Sequence, residues 1–532
     1  MKIKISNIII LAALILGQVA CTKDFLELEP KTGQVEANYY KTESDAFFAL
    51  TAVYDVLSVQ NWAPVPIMSD IWSDDAFCGG GDAGDMRQWQ DMEQNIMDAE
   101  SGASSDLWSR CYSGLYRANL YMQKESGIDW KTEGLQKRFL AEAKFLRAYF
   151  YWDLVRHYGS VPIINEVLPS VEDYRAVKQN TPAELYKQIA TDLLEAIPNL
   201  PETVPSNETG RITKYAAQAL LARIYLFYEG FAKPVFGLTE TWSDGKTQIN
   251  KTYVQNALEE IIKSGAYRLL PNYADVFNWN NQNNDESLLE WQYSEKAKSD
   301  DWGGWGINGN FSVIFYGVRN PVGDPTIDPG WSFGTVTWSL VNEYEPGDPR
   351  KEASVYNADE KLTEYLHAFQ NTGYFNRKFI PNSAFRATAG TREHNYARNY
   401  MDIRYADVLL MAAELFLTDN PTKALGYLNQ VRTRALGAEK ALTAITLDAI
   451  YHERRVEFGG EGHRKWDLLR RGFSYATQKI NASFVVPAGI PNAQDFIGRS
   501  FKENTWGMFP IPAGEIRNTN QGVLTQFVPA YK

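Results

Sequence analysis

The sequence predicts a mainly α-helical protein in which tetratricopeptide-like helix pairs form a scaffold for a long, irregular, loop-rich region. Five apolar residues recur every three or four positions in FLAEAKFLRAYFYWDLVRHYG, which places them on one face of a helix. Residues 271 to 399, in contrast, are rich in Gly, Asn, Asp, Pro and Trp and have little helical periodicity. Loops of this length are either functional or disordered, and the many aromatic residues argue against disorder.

The N-terminal residues have the organisation of an export signal. Two lysines precede the apolar residues 8 to 16, a run too short to span a bilayer. Cleavage after Ala20 would leave Cys21 first, which resembles a bacterial lipoprotein signal with an acylated cysteine. The alternative is an ordinary secretory signal followed by a chance cysteine. We therefore expect residues 1–20 to be a signal peptide, Cys21 to be lipidated, and residues 21–38 to be the lipidated tether.

Capping residues and alanine-rich segments predict the helices that follow. Residues 42 to 44 offer caps for a helix over DAFFALTAVYDVLSV, and TPAELYKQIATDLLEAI begins with Thr181 and carries Glu184 three residues later, which is a capping box. The segments AEAKFLRAYFYW and AAQALLARIYLF begin at residues 141 and 216, an interval that suits two tetratricopeptide-like helix pairs of about 34 residues each. The alternative is a helical bundle without repeats.

Composition excludes several classes of protein. The formal net charge of −12 argues against nucleic acids and polyanions as partners. Three cysteines are too few for a disulfide framework, and Cys78 and Cys111 could either pair or stay buried. No phosphate loop, dinucleotide fingerprint or spaced metal-binding motif occurs, so we expect no cofactor and no metal. The alternative is a Ca²⁺ ion at Asp74, Asp75, Asp82 and Asp85, but their spacing does not fit an EF-hand and favours a solvated acidic loop. GWSFG matches the G-x-S-x-G pattern, but its neighbours lack the strand and helix of a nucleophile elbow, so Ser332 is not a predicted nucleophile.

Several segments, in the correct order, closely resemble successive signatures of the SusD/RagB family. They are AEAKFLRAYFYWDLVRHYGSVPI, GRITKYAAQALLARIYLF, RYADVLLMAAEL, LNQVRTRA, ERRVEFGGEGHRKWDLLRRG and FPIPAGEI. CTKDFLELEP and YYKTESDAFFALTAVYDVL also look like the start of that family, so the resemblance extends from about residue 21 to about residue 530.

This resemblance implies a fold, a location and a function. Members are lipid-anchored outer-membrane proteins of Bacteroidota that bind glycans at the cell surface and pass them to a TonB-dependent, SusC-like transporter without catalysis. It implies one domain over residues 39–532, with a helical scaffold at about 39–270 and 400–475 and a loop-rich ligand region at about 271–399. The alternatives are a peptide- or protein-binding member of the family, or a surface glycoside hydrolase, whose carboxylate separation cannot be read from a sequence.

The charged residues of the C-terminal signature are expected to be structural. Opposite charges alternate at three- and four-residue steps around a Gly-Gly break, which favours an internally paired or solvated network over a ligand site. These residues are Glu453, Arg454, Arg455, Glu457, Glu461 and Arg464.

A neutral glycan suits aromatic platforms flanked by polar side chains, because sugars present flat C–H faces and many hydroxyl groups. Two stretches have this composition, residues 69 to 90 and residues 279 to 338. The predicted glycan-binding residues are Trp302, Trp305, Trp331, Trp89, Asp74 and Arg87. Trp302 and Trp305 are the foremost of these because they flank two glycines, which indicates an exposed loop; burial in the core is the alternative for each tryptophan.

Overall fold

The computed structural model describes residues 39–60, 62–294, 308–386, 390–496 and 498–532. The predicted mainly helical fold is confirmed. The predicted signal peptide and tether lie outside the described residues. In the part of the chain that is described, no helix is both long enough and apolar enough to cross a membrane.

Helices dominate both the N-terminal and the C-terminal parts of the chain. The first ten are α1 Glu43–Ser58, α2 Val65–Trp72, α3 Arg87–Glu93, α4 Gly102–Lys124, α5 Leu135–Tyr158, α6 Val171–Ala176, α7 Pro182–Ala196, α8 Lys214–Phe227, α9 Lys233–Phe236 and α10 Lys251–Ser264. Four short helices lie in the loop-rich region: α11 Ser312–Tyr316, α12 Trp338–Val341, α13 Pro349–Ser354 and α14 Ala358–Lys361. The last six are α15 Tyr405–Phe416, α16 Pro421–Leu436, α17 Leu447–Phe458, α18 Arg464–Arg470, α19 Phe473–Ala482 and α20 Ala513–Asn518.

The strands are short and, within the described residues, form antiparallel two-stranded sheets. They are β1 Ala76–Gly79, β2 Val161–Pro162, β3 Gln179–Asn180, β4 Ser287–Trp291, β5 Phe333–Val336, β6 Val355–Asn357, β7 Tyr374–Asn376 and β8 Tyr400–Arg404. The pairs are β1–β5, β2–β3, β4–β8 and β6–β7. Because β1–β5 and β4–β8 join segments distant in sequence, these ladders attach the loop-rich region to the helical scaffold.

Local sequence signals set the helix boundaries as predicted. Thr42 and Thr181 are the N-caps of α1 and α7, and each forms a capping box with the acidic residue three positions later. The predicted apolar face of α5 is buried throughout. Gly159, with a φ of +78°, ends that helix in a conformation that a residue with a side chain rarely adopts.

Neighbouring helices pack in pairs around one large core. Helix α5 packs against both α4 and α7, α10 packs against α8, and α15 packs against α16. Gly114 of α4 lies so close to Phe150 of α5 that an added Cβ would be 2.4 Å from the phenyl ring. The absence of a side chain at Gly114 therefore allows α4 and α5 to approach closely. Cys78 and Cys111 are free and buried, and burial raises the pKa of both thiols.

The charged residues around α17 form a buried, internally paired network, which confirms the structural interpretation of that signature. Glu457 accepts hydrogen bonds from Arg350, Arg404 and Arg434. Burial alone would raise the pKa of Glu457, but the three guanidinium groups outweigh it and hold that pKa well below its usual range. Arg404 also pairs with Glu461 and with Glu286, the residue before β4.

The network also extends to the N-terminal part of the chain. Arg455 of α17 binds Asp75 with an Nε to Oδ1 distance of 2.9 Å, and Arg464 of α18 binds Asp74 through two hydrogen bonds of 2.7 and 3.0 Å. The segment between α2 and β1 is thereby fixed to the C-terminal helices by charge.

A buried carboxyl group, Asp70 of α2, lies beside this network. It accepts hydrogen bonds from the hydroxyl of Tyr316 (2.8 Å) and from the backbone N–H of Gly462 (2.9 Å). Burial and the charge of Asp75 raise its pKa to about 8, although both hydrogen bonds act in the opposite direction. Asp70 therefore holds a proton at neutral pH in the native protein.

Replacing Glu457 with glutamine is expected to destabilise the protein by about 3–5 kcal/mol, because three buried arginines would lose a shared counter-charge. The midpoint of thermal unfolding, followed by circular dichroism, measures the effect. Asp448→Asn on the same helix is the matched control. The exposed side chain of Asp448 forms a surface ion pair with Arg471, which contributes less than about 1 kcal/mol to stability. Equal unfolding midpoints for the two variants would contradict a structural role of the network.

Asp70→Asn is expected to flatten the dependence of stability on pH. The native state keeps a proton on Asp70 up to about pH 8, whereas in the unfolded chain Asp70 has its ordinary pKa of 3.8 and loses the proton near that pH. The wild-type free energy of unfolding therefore falls as pH rises through this window, by an amount on the order of a few kcal/mol, and the amide cannot lose a proton. Unfolding midpoints measured across the window for both proteins test this, and parallel profiles would argue against a protonated Asp70.

A candidate aromatic platform

Two half-buried tryptophans, one from the loop-rich region and one from the chain before α2, stack against each other. The indole rings of Trp62 and Trp331 are nearly parallel, with an angle of 11° between their planes and 6.4 Å between their centroids. Trp331 is a predicted site residue, whereas Trp62 is not. We call this pair the aromatic platform.

Two buried phenylalanines form the floor of the aromatic platform. Phe311 and Phe315 are both almost fully buried, and each ring lies nearly perpendicular to both indoles. The phenyl–indole centroid distances run from 5.2 to 6.2 Å, the range of favourable edge-to-face contacts. The indoles are therefore held at a fixed angle by the core beneath them, and no ligand is needed to order them.

The backbone of Trp62 is fixed on both sides. Its N–H donates to Asp106 (3.2 Å), and its carbonyl accepts from the indole N–H of Trp89 (3.0 Å). Buried Gln60 donates its side-chain amide to the hydroxyl of Tyr293 (2.6 Å) and accepts from the N–H of Ser312 (2.7 Å). Gln60 thus ties the chain beside Trp62 to the end of β4 and to the start of α11.

The backbone around Trp331 is equally constrained. The N–H of Trp331 donates to the carbonyl of Ile314 (2.8 Å), and the carbonyl of Trp331 accepts from the side chain of Arg319 (2.8 Å). Gly330 lies against Gly317, where an added Cβ would be 2.3 Å from the opposing Cα. Ser332, the residue after Trp331, is buried with a φ of +57°, and its hydroxyl accepts a hydrogen bond from the N–H of Arg319. Its position before β5 agrees with a turn and not with a nucleophile elbow.

Polar groups lie beside the aromatic platform. The guanidinium of Arg319 binds the carboxylate of Asp85 at 2.9 Å, and both side chains are partly exposed. Asp85 also accepts from the backbone N–H of Gly81 (2.7 Å), so the acidic loop before α3 is attached to the residue that holds Trp331. Arg319 and Asp85 offer hydrogen-bond donors and acceptors of the kind that hydroxyl groups require.

Two of the predicted site residues prove to be structural. Trp89 is fully buried, donates its indole N–H to Trp62 and packs against Phe315 and Phe333, so it supports the aromatic platform from below. Asp74 is also fully buried, and Arg455 and Arg464 lower its pKa although burial acts to raise it. Neither side chain can contact a ligand at the surface.

The remaining predicted residues do not join one site within the described structure. Arg87 is exposed and forms an i,i+4 ion pair with Asp91 at 2.8 Å. It lines a different cleft, together with Phe369 and Lys502. Trp302 and Trp305 lie outside the described residues.

Trp62 gave no distinctive signal in the sequence. It precedes Ala-Pro-Val-Pro, a stretch that indicates a loop, and it lies just outside the candidate stretch of residues 69 to 90. Only the tertiary contact with Trp331 identifies it as part of a surface feature.

Two family models match the chain. One, described as the SusD family, matches residues 350–531, and the other, described as "Starch-binding associating with outer membrane", matches residues 24–226. A curated relative, SusD-like protein P25 of Formosa agariphila, is 27% identical over 520 residues and is matched over 90% of its length by 88% of this chain.

Solved structures are similar over nearly the whole chain. A laminarin-binding SusD-like protein is 31% identical with a TM-score of 0.77, and the match covers 91% of this chain and 100% of that one. Surface glycan-binding protein A from Bacteroides thetaiotaomicron, solved in complex with laminarihexaose, is 28% identical with a TM-score of 0.77 and coverages of 91% and 99%.

Proposed function

Because this chain belongs to the SusD/RagB family, we propose that it is a non-catalytic glycan-binding protein of the cell surface whose ligand lies on the indoles of Trp62 and Trp331. The observation that carries this proposal is the parallel pair of half-buried rings on a buried phenylalanine floor.

The geometry of the aromatic platform suits the C–H faces of sugar rings. Two indoles provide a large apolar area, and their orientation is set by the core before a ligand arrives, so little conformational entropy is lost on binding. Arg319 and Asp85 lie beside the rings and can exchange hydrogen bonds with hydroxyl groups. Specificity would thus come from polar contacts at the edge, and affinity from the aromatic faces.

A neutral β-glucan of the laminarin type is the first ligand to test. Two of the similar solved structures are named for laminarin or contain laminarihexaose. The net charge of −12 is unfavourable for sulfated or otherwise anionic polysaccharides.

Trp302 and Trp305 remain proposed contributors to the same site. The N–H of Ser294 donates to the carbonyl of Asn308 (2.7 Å), so the described residues on either side of their segment are adjacent. Tyr293, next to Ser294, is hydrogen-bonded to Gln60, which lies near Trp62 in the chain. Both ends of the segment therefore lie close to the aromatic platform.

We further propose that lipidated Cys21 anchors the protein in the outer membrane and that the bound glycan passes to a TonB-dependent, SusC-like transporter. The N-terminal sequence and the family description that names the outer membrane support the anchoring. Anchoring beside a transporter would raise the effective concentration of captured glycan at its entrance.

Trp331→Ala is expected to weaken laminarin binding by roughly tenfold or more, because half of the aromatic platform is lost. Native affinity electrophoresis through gels that contain laminarin or other neutral polysaccharides measures the retardation of the chain lacking residues 1–21. The control is Trp506→Ala, which removes a half-buried indole elsewhere. The Trp302→Ala, Trp305→Ala double variant is run alongside.

Equal retardation of wild type and Trp331→Ala would refute the placement of the site, provided that both have the same unfolding midpoint. Laminarin incubated with the protein is analysed for shortened products in parallel. Turnover would replace the binding function with that of a glycoside hydrolase, and retardation without products supports the proposal.

Cys21→Ser is expected to release the protein from the membrane, because the acyl chains have no other attachment point. Expression of both forms in a Bacteroidota host, followed by membrane fractionation and immunoblotting, tests this. Wild type should fractionate with the outer membrane and the variant with the soluble fraction. Membrane-bound protein with an unmodified Cys21 by mass spectrometry would contradict lipid anchoring.

A further inference from the structure

A second pocket, of about 660 Å³, lies on the helical scaffold. One wall is the middle of α4, a second is the chain from Pro162 to Tyr174, and the C-terminal residues Glu515 to Leu524 complete it. None of its lining residues belongs to the aromatic platform. Its volume is in the range that accommodates a small organic ligand or one or two sugar units.

Four aromatic side chains line this helical pocket. Trp108 and Tyr112 are in contact, with ring centroids 4.8 Å apart, and Tyr116 and Tyr174 complete the set. Tyr116 is 47% exposed, so its ring is accessible from solvent at the mouth of the pocket. The hydroxyl of Tyr112 donates to the carbonyl of Pro162 (2.9 Å), and that of Tyr174 accepts from the N–H of Leu168 (3.1 Å), so protein contacts already fix these two rings.

The strong donors of the helical pocket are engaged within the protein. Arg117 donates to the carbonyl of Ala52 (2.7 Å) and pairs with Asp55 at 3.1 Å. The side-chain amide of Asn119 donates to the carbonyl of Ile164 (2.6 Å). An anionic ligand would therefore find no uncommitted cation among the residues that line the pocket.

The acceptors, in contrast, lack cationic partners. Glu166 is exposed and Glu515 is half-buried, and neither forms an ion pair with any residue that the structure describes. Burial raises the pKa of Glu515, while a hydrogen bond from Trp108 acts to lower it. Partial burial of a carboxylate without a counter-charge costs free energy, and a bound cation would lower that cost.

We infer that the helical pocket binds a ligand that carries an ammonium group, with the cation between the aromatic rings and the carboxylates of Glu166 and Glu515. Aromatic faces attract organic cations through their quadrupoles, and nearby carboxylates add a direct charge interaction. The ammonium group can come from an alkylammonium compound or from an amino sugar, and the two sources share this chemistry.

Binding of choline to the full-length mature protein, measured by isothermal titration calorimetry, tests the inference against the neutral isostere 3,3-dimethylbutan-1-ol. The two molecules have the same shape, so their difference isolates the charge. We expect choline to bind at least about tenfold more tightly. Glucosamine and glucose form a second pair, and preference for glucosamine over choline would identify an amino sugar as the source.

Variants place the binding in the helical pocket. Glu515→Gln and Tyr116→Ala should each weaken choline binding several-fold, whereas Glu172→Gln, the same charge change on the exposed face of α6, should leave it unchanged. Trp331→Ala should also leave it unchanged, which separates this pocket from the aromatic platform. Equal affinity for choline and its neutral isostere, no heat of binding from choline, or an equal loss in Glu172→Gln would each overturn the inference.

Discussion

The position of the loop-rich region depends on the buried ion pairs of α17 and of the turn that follows it. Arg404 of β8 and Arg350 of α13 both reach Glu457, while Arg455 on the same helix reaches Asp75 before β1. Buried charges are tolerated only when each has a partner at close range, so a displaced arrangement would leave several of them unpaired. A region with few regular hydrogen-bonded elements thereby acquires one defined position on the helical scaffold.

Features that depend on local sequence could be predicted, and those that depend on tertiary contact could not. The capping box at Thr181 involves residues three positions apart, and alternating charges around Glu457 favour a paired or solvated network over a ligand site wherever that segment lies. Exposure of a single tryptophan has no such local signature. Trp89 has the polar neighbours of a surface residue and is nevertheless fully buried, because α3 turns its indole toward Trp62 and Phe315.

The candidate site also depends on a tertiary contact that the sequence does not predict. Trp331 is a predicted site residue because it lies in the aromatic stretch of residues 279 to 338, but its companion Trp62 lies far from it in the sequence and outside both candidate stretches. Their contact requires Gln60, Phe311 and the close approach of Gly317 and Gly330, none of which implies a ligand by itself. An aromatic platform assembled from separate segments is therefore visible only once the chain is folded.

The distribution of charge gives the two proposed binding surfaces different chemistry. The arginines of the buried network are matched by carboxylates within the protein, so the surplus of acidic residues must act mainly at the surface. At the aromatic platform Arg319 is already paired with Asp85, and selection has to rely on aromatic area and hydroxyl contacts. In the helical pocket two carboxylates of that surplus remain uncompensated among aromatic rings, which makes a cation the complementary ligand. One acidic chain can thus take a neutral glycan on its loop-rich side and an ammonium group on its helical side, because Arg319 and Asp85 neutralise each other at the first site, whereas Arg117 of the second site is paired with Asp55 and leaves Glu166 and Glu515 without a cation among the described residues.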